Sequence, residues 1–182
     1  MLEAKLTLYQ CLARSPKATK GEKMKNETIF NFRSTWFGRY GDEEGYEITV
    51  SADFTNPSAW PFTVKKFDIT YDDDFNETRE ETVSARISKG TFDRIKSVIA
   101  GNTSLRYDSD EIDAEVMDGS SDEFFFACNE YQRTLGGSSV LSIGSFEADE
   151  CKPEARTIAY TIHTVFNEIE SILKSEGVDL WA

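Results

Sequence analysis

The sequence predicts an α+β protein: an antiparallel sheet of about six or seven strands, with one face covered by a long C-terminal helix and a shorter middle helix. Three patterns predict it. From Pro153 to about Ser175, Ile158, Ile162, Val165, Phe166, Ile169, Ile172 and Leu173 recur at helical spacing for about six turns. Between residues 28 and 146, short runs alternate apolar and polar residues with the period of a half-buried strand. Amid them, Ser88 to Thr91 offers capping hydroxyls ahead of Phe92, Ile95, Val98 and Ile99, and Gly101 suits the left-handed position after a helix.

Taken in order, residues 1–27 read as a basic arm. A short helix around Leu2, Leu6 and Tyr9 is followed by a linker broken by Pro16 and Gly21. Residues 28–182 read as a single α+β domain. Thr28 to Arg33 alternates and runs into Trp36 and Phe37, and residues 38–45 form an acid- and glycine-rich loop. Tyr46 to Ala52 is a second strand. Asn56-Pro57 and Trp60-Pro61 mark the turn into a third, Phe62 to Tyr71, on which Lys65, Phe67, Ile69 and Tyr71 share a face. After the polar loop 72–77, Glu81 to Ile87 returns antiparallel. Beyond the middle helix, Glu111 to Met117, Phe124 to Arg133 and Val140 to Phe146 make a second meander, with turns at 118–122 and 136–138. Two strands-then-helix halves sharing one sheet would account for this order.

Charge narrows the function. The chain holds 20 Lys/Arg against 33 Asp/Glu, a net of −13. Residues 1–33 carry seven bases and three acids, so the remainder carries 13 bases and 30 acids, a net of −17. An acidic body repels phosphate, so direct binding of nucleic acid or an anionic membrane is not expected, whereas a basic protein partner is. No apolar run approaches the ~20 residues of a membrane helix. The start lacks a basic segment followed by an apolar one, and the chain reads as cytoplasmic. Cys11, Cys128 and Cys151 are odd in number and widely spaced, which fits neither a disulfide framework nor, with His163 the single histidine, a zinc site.

The motifs of catalysis fail one by one. Gly136-Gly-Ser-Ser-Val140 lacks the closing glycine of a nucleophile elbow, and no glycine-rich phosphate loop occurs. Residues 72–77 begin like a calcium loop. They then place Glu77 where glycine is needed and Val83 where the last acidic ligand belongs. His163 falls beside the apolar stripe of its helix with no nucleophile in a matching motif. The expectation is a protein that is not an enzyme, without catalytic residues, metal or cofactor.

Two sets of residues remain as candidates for binding. Eight acids and no base lie between Asp108 and Glu123, and Glu111, Asp113 and Glu115 share one face of the strand expected there. Residues 30–71 hold eleven of the 23 aromatics, of which Trp36, Tyr40 and Trp60 stand next to loops, where rings serve as anchors for protein partners. The expectation is therefore a binding protein of inhibitor or immunity type, presenting an acidic sheet face, opposite the long helix, to a basic partner. Mimicry of a nucleic acid is a special case. The alternatives are a carboxylate-dependent hydrolase or sugar-binding module using the loop aromatics, and a structural or assembly subunit. A cleft with two carboxylates facing Trp36 or Trp60 would favour the hydrolase.

Overall fold

The computed structural model describes residues 26–37, 43–56, 58–72, 74, 76–106, 111–112, 120–138, 140 and 153–181. In chain order its elements are β1 (Glu27–Phe37), β2 (Glu43–Ala52), β3 (Phe62–Tyr71), β4 (Glu77–Arg86), α1 (Lys89–Gly101), a 3-10 turn (Thr103–Arg106), β5 (Glu111–Ile112), β6 (Ser120–Ala127), β7 (Gln132–Ser138) and α2 (Pro153–Ser175). They form one sheet in the order β4-β3-β2-β1-β6-β7-β5. Six strands pair antiparallel, and the two-residue β5 adds a parallel pairing to β7. Two meanders thus share a sheet, joined where β1 lies against β6, from Phe30 opposite Phe126 to Trp36 opposite Ser120.

Alternation decides which side chains meet the helices. On β1, Phe30, Phe32 and Ser34 are buried, while Asn31, Arg33 and Thr35 take the other face. Phe32 stacks on Phe124 with ring centres 4.3 Å apart, and Phe166 of α2 meets Phe32 edge-on at 5.2 Å. Such pairs gain ~0.5–1.5 kcal/mol beyond the area they bury. Ile48, Val50, Phe62 and Val64 extend this core across β2 and β3, and Phe92 of α1 closes on Phe62 at 5.0 Å. The apolar stripe of α2 is buried from Ile158 to Leu173. No helix among the described residues is long and apolar enough to cross a membrane.

Both helices are capped, one of them differently from expectation. The Ser88 hydroxyl accepts from the Thr91 amide at 3.0 Å and starts α1. Gly101 does not take the left-handed position: α1 runs through it to a C-cap at Asn102, whose side chain donates to the Val98 carbonyl at 2.8 Å. The left-handed glycine is Gly177, with φ +82°. There the amides of Val178 and Gly177 return to the carbonyls of Leu173 and Lys174, which closes α2 and turns the tail back so that Val178 and Leu180 are buried.

The second meander departs most from expectation. Its turn lies at residues 128–131, where the Cys128 amide donates to the Tyr131 carbonyl at 2.9 Å, and Gly136-Gly137 sits inside β7. Residues 120–122 belong to β6 rather than to a hairpin loop. Of the strand expected at 111–117, only Glu111 and Ile112 are described as strand; residues 113–119 lie outside the described residues, as do nearly all of the arm 1–27 and residues 141–146 of the strand expected at 140–146, whose first residue, Val140, is helical instead. Strand β4 starts four residues before the expected Glu81. It is a sheet edge, and its charged residues and a bulge opposite Lys66/Phe67 are the usual protection of such an edge.

The glycines give a direct test of this backbone. A Cβ on Gly45 would stand 2.4 Å from the Ser34 carbonyl oxygen, so Gly45→Ala should cost about 2 kcal/mol or more. Gly177→Ala forces a positive φ on alanine and should cost about 1 kcal/mol. Gly101→Ala, helical and open, should instead gain about 0.5–1 kcal/mol. Urea unfolding of the three variants checks the order; a destabilised Gly101→Ala would contradict the helical assignment.

Candidate functional site

The open face of the sheet is not an acidic plate across β1–β4. Arg33, Lys65 and Arg79 meet Glu47, Glu77 and Glu81 there. Arg33 Nη2 lies 2.5 Å from Glu77 Oε2 and donates to the Tyr71 hydroxyl at 2.6 Å, and Arg79 Nη1 lies 2.7 Å from Glu47 Oε2. The hydrogen bond from Arg33, helped by Arg79, holds the Glu77 carboxyl down at about 2 against an ordinary 4.5. Ile69, cross-strand neighbour of Gly45 and Arg79, is buried on this face. Glu111 lies on the backbone of β5, opposite Gly136, and Asp113 and Glu115 lie outside the described residues.

The loop aromatics part company. Trp60, 50% exposed, follows β2 near the Glu27 end of β1 and donates its Nε1 hydrogen to the Ile87 carbonyl at 2.7 Å. Trp36, 38% exposed, stands at the other end of β1, roughly 30 Å away along the strand. Tyr40 lies outside the described residues. Trp36 and Trp60 thus stand at opposite ends of β1, and among the described residues no cleft joins them.

The Trp36 end is the richer one, and most of it was not foreseen. Across β1 and β2, Trp36 faces Glu44 and Ser34 faces Tyr46; across β1 and β6, Ser34 faces Asp122. The Tyr46 ring touches Trp36 at 6.0 Å and Trp181 at 5.1 Å, the latter delivered by the fold-back at Gly177. Trp181 Nε1 donates to Glu170 of α2 at 2.6 Å, and the Lys66 ammonium lies 5.0 Å from the Trp181 ring centre. Under the rings, the Ser34 hydroxyl donates to the buried Asp122 carboxylate at 2.6 Å. Burial, and then the charge of Asp122, push the Tyr46 phenol above its ordinary value, so it stays neutral.

This arrangement positions groups rather than activating them. A carboxylate is too weak a base to take a serine proton without a histidine between them. His163, partly exposed on α2, contacts Asn167 of its own helix. Among the described residues no three Asp, Glu, His or Cys side chains group as metal ligands. A shallow groove of about 500 Å³ between α1 and α2, and a hollow of about 470 Å³ beside Cys128 and Tyr131, are open and bring no reactive set together. Asp122 was readable in principle: it keeps parity with the buried Phe124 and Phe126. Glu44, Tyr46, Glu170 and Trp181 depend on register and on the fold-back, which no single stretch encodes. No protein-family model matches the chain, and no curated protein matches it.

Two measurements follow from these networks. Asp122→Ala strands the Ser34 hydroxyl in the core, and unfolding should show a loss of about 2–3 kcal/mol. The depressed Glu77 contributes stability above its unfolded value of 4.5, and that contribution is lost as pH falls through about 2. The stability difference between wild type and Glu77→Gln should thus be largest near neutral pH and vanish at the acid end. A difference that is constant with pH would show that the ion pairs do not shape stability.

Proposed function

We propose that the chain is a non-enzymatic binding protein of inhibitor or immunity type that takes a basic partner protein at the Trp36 end of its sheet. One observation carries the reading: this end collects partly exposed rings and carboxylates on a strand-borne base. Trp36 and Trp181 flank Tyr46, with Glu44 and Glu170 beside them. The described residues that bracket the acidic run 113–119, Ile112 and Ser120, belong to the same end, since β5 runs parallel with β7 towards it and β6 starts there. The body charge of −17 supplies attraction for a basic partner, which raises association rates and suppresses acidic competitors. Nucleic-acid mimicry is the special case in which that partner normally binds phosphate. The free thiol of Cys128 suits the reducing cytoplasm proposed as its location.

The test is affinity capture from cells that express the protein, at low and high salt, with wild type and a Trp36→Ala variant side by side. Wild type should retain a protein of high isoelectric point that high salt releases. Trp36→Ala should lose about 2 kcal/mol of that affinity, as expected for an anchor ring. Partners that are acidic, or whose retention ignores both salt and Trp36, would overturn the proposal.

A further inference from the structure

We infer that the Trp36 end receives an arginine side chain of the partner, its guanidinium stacked on the Trp36 ring and paired with the Glu44 carboxylate; this rests on the binding-protein reading above. Trp36 and Glu44 are direct cross-strand neighbours on one sheet face, a spacing at which side chains act together, and both are exposed. Tyr46 backs the Trp36 ring at 6.0 Å, so the tryptophan is held before any partner arrives.

The second half of the same surface shows what such a pair does with a cation. Trp181 also stands beside a carboxylate, Glu170, and the Lys66 ammonium lies over its ring at 5.0 Å and over Tyr46 at 6.0 Å. The ring there already holds a positive charge that the chain itself supplies, and that ammonium is paired with a carboxylate, Asp68, at 3.3 Å. Among the described residues the cations lying over rings are Lys65, on Phe67, and Lys66, on Tyr46 and Trp181. Trp36 with Glu44 repeats the ring and the acid, and its cation would come from outside. Arginine fits better than lysine because a planar, weakly hydrated guanidinium stacks on indole while keeping edge N–H groups for a carboxylate.

The experiment is calorimetric titration of the full chain with two acetylated peptides of equal charge, one of Arg-Gly repeats and one of Lys-Gly repeats. Both should bind with salt-sensitive affinity, the arginine peptide roughly two- to fivefold tighter. Trp36→Leu should bring the ratio to one by weakening the arginine peptide more than the lysine peptide. Glu44→Gln, an isosteric change at an exposed position that does not threaten folding, should do the same to the ratio. Equal affinities in wild type, or an arginine preference that survives both variants, would overturn the arginine site and leave the basic-partner reading standing. Binding of neither peptide would overturn both.

Discussion

The phenylalanine seam between β1 and β6 is the contact on which the remaining structure depends. Phe30 and Phe32 meet Phe126 and Phe124 across strands about ninety residues apart in the chain, and Phe166 of α2 packs on both β1 rings. Without this seam there are two meanders, each with one apolar face and nothing broad enough to cover it. With it, one continuous apolar surface is large enough for α1 and α2 to lie on together. Closing so long a loop has an entropic cost, but that cost grows only logarithmically with length, whereas each buried phenylalanine contributes ~1.5–3 kcal/mol. The balance favours the joined sheet.

That choice leaves the other face in water, and the sequence handles it by charge pairing. Arg33, Glu77, Arg79 and Glu47 interlock beside Ile69, the cross-strand neighbour of Arg79 and Gly45. Each exposed pair is worth little, ~0–1 kcal/mol, so the network's main effect is to fix side chains and cover one apolar residue. With Lys65 and Glu81 it sets three bases against three acids, so this patch adds nothing to the net charge. The negative excess is therefore concentrated elsewhere, at carboxylates such as Glu44 and Glu170 and in the run from Asp108.

How much was legible follows from where each signal resides. Helix α2 was readable because its period persists for many turns and is bounded by Pro153 and Gly177. The β6–β7 turn was not, because Asn129 and Glu130 lack the glycine or proline that announces a turn, while Gly136-Gly137 imitates one inside a strand. Gly101 was misjudged for a related reason: a glycine after an apolar period resembles a helix end, and here the Asn102 side chain takes that role. Among candidate-site residues, Trp36 was identifiable as a ring next to a loop. Its neighbours were not, because Glu44 reaches it through register and Trp181 through a tail that reverses direction.

The placement of Trp36 argues for recognition by a surface ordered in advance. It stands near the end of β1, which pairs on both sides, to β2 through Glu44 and to β6 through Ser120, and its ring leans on Tyr46. Ser34 lies across the strand from Tyr46 and is held by Asp122. A buried carboxylate has a desolvation cost that an apolar residue would not incur, so its presence under this surface calls for a reason beyond stability. Holding Ser34, and with it the strand beside Tyr46, in place supplies that reason. Rings held on a strand lose little freedom when a partner arrives, so more of the contact energy appears as affinity than it would for rings on a loop.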